Sequence, residues 1–286
     1  MPIELDHVSY SYPVSSGGTV TALRDINLKI GDGEFVGIAG RTGCGKTTLI
    51  QLIAGLLVPA SGRILIDGQD INDKRYDRGV LRKNVGLVFQ YPEYQLFETT
   101  VEKDVAFGLK HSGLAPLELK DNVKWALETV GFSFDDIRSH SPLSLSGGEK
   151  RRVAIAGVLA CKPKILIFDE PIAGLDPRSR QSFLHTVSKQ NLQGTTIIMV
   201  SHNADALAEY AGRLLIIDNG VRAACGTVKE IFSDIDKLAS IRLQASTPRL
   251  IGNLLSHRGI PVPDSVTSYN ELLSFLTSRL KGGAPQ

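Results

Sequence analysis

The sequence predicts an α/β fold built around a parallel sheet, and three observations support this prediction. A short apolar run over residues 34–39 suits a buried strand, and leucine and isoleucine recur at helical spacing after residue 48. Between them, residues 40–48 match the pattern G-x-x-x-x-G-K-[ST] at every fixed position. Further along, apolar strands alternate with helical patterns, which is typical of a parallel sheet with its chemistry at the carboxyl ends of the strands.

The glycine-rich segment has the composition of a phosphate-binding loop. Its glycines let the backbone curl so that successive N–H groups point at phosphate oxygens, and the dipole of the following helix favours an anion. Lys46 can then reach the β- and γ-phosphates of a nucleotide, while the Thr47 hydroxyl can serve as a Mg²⁺ ligand. The predicted nucleotide contacts are Gly40, Arg41, Thr42, Gly43, Cys44, Gly45, Lys46, Thr47 and Thr48.

The composition is that of an ordinary globular protein. Of 286 residues, 42% are hydrophobic and 22% are charged, which suffices for one large domain and a small one. The net charge of +2 gives no reason to expect nucleic acid or an anionic membrane surface as a partner. The apolar runs are too short for a membrane span, no signal peptide is recognisable and the three cysteines are scattered. We therefore expect a cytoplasmic protein with reduced thiols and no nucleic-acid partner.

The region before the loop predicts an antiparallel sheet, because residues 3–36 alternate in the manner of strands. Tyr12 falls at the end of the first strand, where its ring is placed to stack on an adenine base. A half-buried sheet tyrosine gives the same pattern, so both interpretations of Tyr12 stay open.

The middle of the chain predicts a helical insert within the α/β core. Strands over residues 62–68 and 85–89 come first, and Gln90 closes the second of them. From residue 102 to about residue 129 the apolar residues recur at helical spacing. The insert ends at Leu143-Ser144-Leu145-Ser146-Gly147-Gly148-Glu149, after which a helix resumes.

Two further apolar strands end in polar residues. The strand at residues 164–168 is followed by Asp169 and Glu170, and the strand at residues 195–200 leads to His202. Because the carboxyl ends of parallel strands meet at one edge of a sheet, we expect these side chains to lie beside the phosphate-binding loop.

These motifs, in unbroken order over roughly residues 3–225, resemble the ATP-binding subunits of ABC transporters. The resemblance is carried by Gly40 to Thr47, Gln90, Leu145 to Glu149, Asp169-Glu170, Ala173-Gly174-Leu175-Asp176 and His202. It implies the ABC type of P-loop NTPase core, with a parallel sheet, an antiparallel β subdomain and a helical subdomain at about residues 91–160. It also implies a dimer that sandwiches two ATP molecules, each held by the phosphate-binding loop of one subunit and the Ser-Gly-Gly-Glu segment of the other.

The resemblance gives roles to individual positions. Asp169 would bind Mg²⁺ through water, and Gln90 would touch the metal and sense the transporter. Asp176 would lie at the dimer seam and link the two sites. The signature residues that face the partner's nucleotide would be Ser146, Gly147, Gly148 and Glu149.

Glu170 is the predicted general base and His202 the predicted partner of the γ-phosphate. Hydrolysis requires a water in line with the γ-phosphate and a carboxylate placed to accept its proton. Taken singly, Glu170 can be a surface charge, and His202 can be a capping residue before the helix that begins near residue 204. The complete set of motifs favours the catalytic interpretation.

The segment after Gln90 narrows the resemblance to the ATPases of energy-coupling factor (ECF) transporters, which take up vitamins and transition-metal ions. This segment reads Tyr91-Pro92-Glu93-Tyr94-Gln95-Leu96-Phe97-Glu98-Thr99-Thr100-Val101, and residues 151–157 after the signature are similar as well. The resemblance implies a second ABC ATPase subunit, with a heterodimer favoured over a homodimer, a membrane coupling subunit and a membrane substrate-binding subunit. The chain would then be peripheral, at the cytoplasmic face of the cell membrane.

The apolar side chains of Tyr94, Leu96 and Phe97 suit a docking surface for a helix of a membrane subunit. They can also simply pack the helical insert onto the core. Other classes of function are an ATPase of a different ABC transporter, a soluble ABC enzyme of DNA repair or translation, and a nucleotide-gated scaffold. The single phosphate-binding loop argues against the soluble enzymes, which typically carry two, and the presence of Glu170 and His202 argues against a scaffold.

We expect a nucleotide-binding domain over residues 1–228 and a small C-terminal domain over residues 229–286. Thr247-Pro248 suits a helix cap with a first-turn proline, and Ser268 with Glu271 forms a capping-box pattern. This small piece either tethers two ATPases together or packs on its own core. Within the loop, a thiol at Cys44 predicts inactivation by alkylating reagents.

Overall fold

Two β-sheets share a core in the computed structural model, which describes residues 1–14, 17–110 and 112–281. The smaller sheet is antiparallel, in the order β2-β1-β4-β5. Its strands are β1 (Ile3–Val14), β2 (Gly18–Ile30), β4 (Ser61–Ile66) and β5 (Gln69–Asp70). The predicted antiparallel sheet is therefore confirmed, and strands from after the phosphate-binding loop complete it.

The larger sheet carries the phosphate-binding loop and has the strand order β10-β9-β3-β8-β7-β6. All neighbouring pairs are parallel except β9 and β10, which form an antiparallel edge. Its strands are β3 (Phe35–Ala39), β6 (Val85–Val88), β7 (Ile165–Asp169), β8 (Thr196–Val200), β9 (Arg213–Asp218) and β10 (Val221–Thr227). The central strands β7 and β8 are buried along their whole length, as expected for parallel strands with both faces covered.

Helices cover both faces of the larger sheet and form a separate group in the middle of the chain. Short 3-10 helices at Pro92–Gln95, Phe107–Leu109 and Pro142–Ser144 join some of them. The α-helices are α1 (Lys46–Ile53), α2 (Arg78–Asn84), α3 (Val101–Ala106), α4 (Pro116–Thr129), α5 (Phe134–Ile137), α6 (Gly147–Leu159), α7 (Pro177–Leu192), α8 (Ala204–Tyr210), α9 (Val228–Ser233), α10 (Ile235–Ser240), α11 (Thr247–His257) and α12 (Tyr269–Lys281).

The core has two main parts, one on each face of the larger sheet. On one face, α1 packs between the two sheets through apolar residues such as Leu49 and Ile53. On the other face, α3, α4, α6 and α7 pack around buried residues that include Val153, Phe168 and Phe183. This arrangement of layers bears out the predicted α/β core with an antiparallel sheet and a helical group.

Local sequence signals fix several turns and caps. Asp67-Gly68 and Asn219-Gly220 adopt positive φ at all four residues, which joins β4 to β5 and β9 to β10 by tight hairpins. The capping box of Ser268 and Glu271 is present at the start of α12.

The predicted cap of α11 is displaced by one residue. Ser246 is the N-cap, so Thr247 and Pro248 form the first helical turn. A proline is favoured there because its missing N–H would have no partner within the helix.

The last helices pack beside α8. The Asp205 carboxylate accepts hydrogen bonds from the Thr247 backbone N–H at 2.6 Å and from the Tyr269 hydroxyl at 3.1 Å. A small apolar cluster of Val262, Val266 and Leu272 lies between α11 and α12. The C-terminal segment is thus fastened to the residues that follow β8, at the edge of the sheet where His202 lies.

Candidate active site

The strand register brings the predicted site residues to one edge of the larger sheet. Ile38 of β3 lies opposite Val200 of β8, and Asp169 of β7 also lies opposite Val200. The polar residues that follow these strands are therefore level with the start of the phosphate-binding loop. This convergence is the arrangement that the parallel alternation of strands and helices predicts.

The loop over residues 40–45 has a backbone that requires glycine at two points. A Cβ at Gly40 would lie 2.2 Å from the Ile217 carbonyl oxygen. At Gly45 the φ is +108°, and a Cβ would lie 2.6 Å from the Ala22 carbonyl oxygen. The loop is therefore wedged between β9 and the antiparallel sheet, and glycine is the residue that fits this close approach.

Lys46 and Thr47 begin α1 at the end of this loop. Lys46 is buried, and its ammonium donates hydrogen bonds to the carbonyl oxygens of Gly40 at 2.7 Å and Arg41 at 2.8 Å. These bonds hold a positive charge against the loop backbone. The same charge acts to lower the pKa values of Asp169 and Glu170.

The structure joins Thr47 directly to Asp169. The Thr47 hydroxyl donates to Asp169 Oδ2 at 2.9 Å. Burial raises the pKa of Asp169, while the bond from Thr47 and the charge of Lys46 oppose that shift. A hydroxyl and a carboxylate at this separation are hard oxygen donors of the kind that Mg²⁺ takes in nucleotide sites, so the residues present fit the metal.

Glu170 adopts a backbone conformation that is unusual for glutamate, with φ of 48°. Such a left-handed residue costs on the order of 1 kcal/mol and clusters at functional sites. One oxygen of its carboxylate, Oε2, accepts the backbone N–H of His202 at 3.2 Å. The other, Oε1, is buried without a hydrogen bond, although His202 Nε2 lies 3.4 Å away. Burial raises the pKa of Glu170 above its ordinary value.

This combination gives Glu170 the properties of a base. A raised pKa means that the carboxylate binds a proton more readily than an ordinary glutamate does. Buried acceptors are ordinarily hydrogen-bonded, so the unpaired Oε1 is free to accept a hydrogen bond from a bound molecule. The surface-charge interpretation of Glu170 does not fit a buried carboxylate.

His202 does not cap the following helix. The N-cap of α8 is Asn203, whose side chain accepts the Ala206 N–H at 2.8 Å. Burial and the nearby Lys46 charge lower the pKa of His202, so its ring is neutral at neutral pH.

Tyr12 and Gln90 lie at opposite sides of this edge. The Tyr12 hydroxyl is 3.2 Å from Thr48 Oγ1, which places the tyrosine ring beside the start of α1. Gln90 is exposed two residues beyond β6, level with Glu170 in the strand register. Within the described part of the chain, the Gln90 side chain makes no hydrogen bond to Thr47 or Asp169, so its predicted metal contact stays a prediction.

The signature segment starts α6 with a capping box. Ser146 is the N-cap, the Glu149 carboxylate accepts the Ser146 N–H at 2.8 Å, and the Ser146 hydroxyl accepts the Glu149 N–H at 3.4 Å. A Cβ at Gly147 or Gly148 would meet nothing within 4 Å. Nothing inside the subunit therefore requires glycine at these two positions.

Asp176 begins α7 as an N-cap. Its carboxylate accepts the backbone N–H groups of Arg178 at 3.0 Å and Ser179 at 3.1 Å. Hydrogen bonding by the Ser179 side chain, together with these N–H groups, lowers the pKa of Asp176. Its predicted place at a dimer seam stays a prediction.

The structure changes the expectation for Cys44. This residue is only 6% exposed, and burial raises the pKa of its thiol. Since the thiolate is the reactive form, alkylation should be slower than the sequence suggests.

Sequence reasoning did not assign a role to Arg151. This buried residue of α6 donates to the carbonyl oxygens of Ala173 at 2.8 Å and Glu170 at 3.2 Å. Arg151 lies five residues after the signature serine in the sequence. Its contacts are with a turn about twenty residues away, and such contacts leave no local sequence pattern that would predict them.

No helix in the described ranges has both the length and the apolar composition to cross a membrane. The same ranges hold no group of three or more His, Cys, Asp or Glu side chains placed to bind a metal.

Comparison with known proteins gives a consistent picture. Residues 23–173 match the model of the ABC transporter family. The chain is 45% identical over 283 residues to the energy-coupling factor transporter ATP-binding protein EcfA2 of Caldanaerobacter subterraneus subsp. tengcongensis, covering 99% of each protein.

Solved structures extend the similarity to the fold. The structure of cbiO1 from Clostridium perfringens, part of the ABC transporter complex cbiONQ, aligns with a TM-score of 0.73 and 37% identity over 89% of this chain and 98% of that one. A dimeric post-hydrolysis structure of the ATP-binding cassette MJ0796, bound to ADP and Pi, aligns with a TM-score of 0.70 and 28% identity over 79% of this chain and 98% of that one.

Proposed function

The chain belongs to the ABC transporter family and, within it, to the energy-coupling factor transporter ATP-binding proteins, and from this premise we propose how its residues perform ATP hydrolysis. The protein is the ATP-binding and ATP-hydrolysing subunit that energises an ECF-type importer. We infer that the cargo is a vitamin or a transition-metal ion. The observation that carries the catalytic proposal is the buried, unpaired Glu170 Oε1 beside His202 at the edge that bears the phosphate-binding loop.

Glu170 acts as the general base toward the attacking water. Its unpaired Oε1 accepts a hydrogen bond from that water, and its raised pKa favours transfer of the water's proton to the carboxylate as the water oxygen attacks the γ-phosphorus. The bond from the γ-phosphorus to the β–γ bridging oxygen breaks, and ADP leaves. His202 is neutral, so its ring can hold the water or the γ-phosphate by a hydrogen bond without an added charge. The His202 backbone N–H keeps the other oxygen of Glu170 in place.

The loop residues bind and orient the nucleotide. The N–H groups of the loop face the phosphates, and Lys46 turns from its loop carbonyls to the β- and γ-phosphates. Tyr12, beside Thr48, stacks on the adenine. Thr47 and Asp169 would hold Mg²⁺, with Asp169 acting through water, and Gln90 would also contact the metal. When bound, Mg²⁺ neutralises charge on the β- and γ-phosphates.

Two subunits complete each site. Glycine at the exposed first turn of α6 costs up to about 1 kcal/mol relative to alanine. Because a Cβ at Gly147 or Gly148 meets nothing inside the subunit, the glycines fit a close approach by another molecule. We infer that this molecule is the nucleotide of the partner subunit, contacted by the signature residues Ser146, Gly147, Gly148 and Glu149. Asp176 then lies at the dimer seam, and the partner is a paralogous ATPase rather than a second copy.

The aromatic segment after Gln90 is the proposed contact with the membrane subunits. Tyr94 is 85% exposed and Phe97 63% exposed, and the Phe97 ring stacks edge-on against Phe107 with centroids 4.8 Å apart. The Asp104 carboxylate accepts the N–H groups of Phe97 and Glu98, so this apolar surface is held on a fixed loop. A membrane coupling subunit and a membrane substrate-binding subunit complete the transporter, with this chain at the cytoplasmic face of the cell membrane.

We infer a domain division at residue 228, with a helical subdomain at about residues 91–160. The segment from residue 229 packs on its own core through Asp205 and also exposes apolar residues at Leu254, Leu273 and Leu280. These residues suit a tether between the two ATPases. Removal of residues 232–286 followed by a sizing measurement separates the two roles, because an intact dimer would contradict the tether.

ATP turnover by the purified complex tests the function. We expect hydrolysis by the wild-type complex and, in Glu170→Gln, a loss of turnover of about a hundredfold or more with ATP binding retained, since general-base catalysis contributes this much. A Glu128→Gln variant removes an exposed glutamate from α4 and should match the wild type. Normal turnover in Glu170→Gln would overturn the proposed mechanism.

A further inference from the structure

Arg151 is a buried cation that the steps above do not use. It is 5% exposed, and burial lowers its pKa. Its guanidinium nitrogens Nη1 and Nη2 donate to the carbonyl oxygens of Ala173 and Glu170 at 2.8 and 3.2 Å, while Nε is buried without a partner. Burial of a guanidinium is costly unless its N–H groups are hydrogen-bonded, and here two backbone carbonyl oxygens accept those bonds.

The two acceptors are the two ends of one turn. The Ala173 N–H donates to the Glu170 carbonyl at 3.3 Å, which closes the turn that carries the left-handed Glu170. Arg151 is thus hydrogen-bonded to the residues at both ends of this turn. Any rotation of α6 that moves the guanidinium also pulls on the backbone of the proposed base.

The same helix carries the signature residues. Ser146, Gly148 and Arg151 occupy the cap and first turns of α6, which the reciprocal bonds of Ser146 and Glu149 stiffen. Since a helix moves as a rigid element over two turns, contact at its N-terminus is transmitted to Arg151.

The packing between α6 and α7 is open at this point. Next to Arg151, a cavity of about 240 Å³ lies between α6 and α7. Its lining includes Gly148, Ile155, Leu175 and Phe183. A separate cavity of about 280 Å³ lies beside α8. Side chains do not fill the space next to Arg151, whereas the two Arg151 hydrogen bonds link α6 directly to the Glu170 turn.

We propose that Arg151 is a positioning residue that couples engagement of the signature segment to the placement of Glu170. This inference rests on the proposed function, in which Glu170 is the base and the signature segment meets the partner's nucleotide. Closure of the dimer on that nucleotide sets the orientation of α6. Through the Arg151 hydrogen bonds, the orientation of α6 then sets the position of the Glu170 turn. Each subunit then places its own base in response to the nucleotide of its partner's loop.

The test compares Arg151→Met with Arg151→Lys in the full complex. Methionine keeps much of the volume but donates no hydrogen bond, whereas lysine can reach one carbonyl. We measure ATP bound per subunit and turnover per bound ATP. In Arg151→Met we expect turnover per bound ATP to fall about ten- to a hundredfold, as for misplacement of a reacting group, with ATP affinity within about twofold of wild type. Arg151→Lys should recover part of the loss.

A matched control separates positioning from general loss of stability. Arg249 is also buried, 4% exposed; it donates to the Ser233 carbonyl at 3.3 Å and forms an ion pair with Asp264 at 2.5 Å, both in the C-terminal segment. Arg249→Met should lower the thermal midpoint as Arg151→Met does, because both remove one buried arginine. Turnover per bound ATP of the assembled complex should stay within about twofold, because the partners of Arg249, Ser233 and Asp264, lie outside α6 and the Glu170 turn.

A double-mutant cycle with Ser146→Ala tests the coupling itself. If Arg151 transmits signature engagement, Ser146→Ala should reduce turnover less in the Arg151→Met background than in the wild type. In the Arg249→Met background its effect should be unchanged. Wild-type turnover per bound ATP in Arg151→Met, or effects of Ser146→Ala and Arg151→Met that simply multiply, would overturn the inference. Failure of the proposed function is distinct, since it would appear as normal turnover in Glu170→Gln.

Discussion

The Glu170 carboxylate accepts the backbone N–H of His202 at 3.2 Å, and this bond ties the end of β7 to the end of β8. It fixes one carboxylate oxygen and leaves the other buried without a hydrogen bond. The proposed base is therefore held by one oxygen, and the other oxygen is left to accept a hydrogen bond from a water. The relationship explains why the proposed chemistry depends on two neighbouring strands of the sheet.

As the pH is lowered, turnover should be lost at a higher pH than the pKa of an ordinary glutamate would predict. Burial raises the pKa of Glu170 above 4.5, so the active carboxylate is lost as the pH falls through that raised value. The measurement is kcat of the wild-type complex at saturating ATP and Mg²⁺ across acidic pH, with circular dichroism to confirm folding. An acidic midpoint at or below 4.5 in the folded protein would contradict the raised pKa.

Gly148→Ala should separate stability from activity. A Cβ at this position meets nothing within 4 Å inside the subunit, so folding should be unharmed and α6 stabilised by up to about 1 kcal/mol. Turnover should nevertheless fall about tenfold or more, because the methyl group stands where the partner's nucleotide approaches. Thermal melting and an ATPase assay provide the two measurements. A variant with full activity would remove the close approach from the proposed mechanism.

Phe97→Glu should weaken assembly with the membrane subunits and spare ATP binding. The ring is 63% exposed beside Phe107, so a charge there disrupts an apolar contact without opening the core. Co-purification with the membrane subunits and nucleotide affinity are measured together. Leu192→Glu is the matched control, because Leu192 is 85% exposed at the end of α7. Equal assembly of the two variants would argue against the docking surface.

Glu271 should stabilise the C-terminal helices in a pH-dependent way. Burial alone would raise its pKa, but the Lys229 ammonium at 2.8 Å and the N–H groups of Thr267 and Ser268 hold the pKa at about 2. Because the folded pKa is below the ordinary 4.5, the stabilisation is present above pH 4.5 and is lost as the pH falls toward 2.

Glu271→Gln should therefore lower the thermal midpoint at neutral pH and show a smaller acid-induced loss than the wild type. Glu128→Gln provides the comparison, since Glu128 lies 3.9 Å from Lys124 in an exposed pair that contributes little. Identical acid profiles for Glu271→Gln and wild type would exclude the proposed contribution.

The parts of the site that can be predicted from the sequence are those whose signals are local. The glycine pattern and Lys46 identify a phosphate-binding loop because backbone geometry and charge there depend on neighbours in the chain. The apolar strands followed by Asp169-Glu170 and His202 predict one shared edge, and the parallel register confirms it. The capping box at Ser268 and Glu271 was readable for the same reason.

Other features depend on residues far apart in sequence, and these required the folded structure. It set the left-handed φ of Glu170, buried Cys44 and its thiol, and brought β4 into the sheet formed before the loop. It also placed Arg151 against the turn at residues 170–173. These features follow from packing between segments, where burial and unpaired polar groups change pKa values and close contacts fix the backbone, and no local pattern of residue types specifies such contacts.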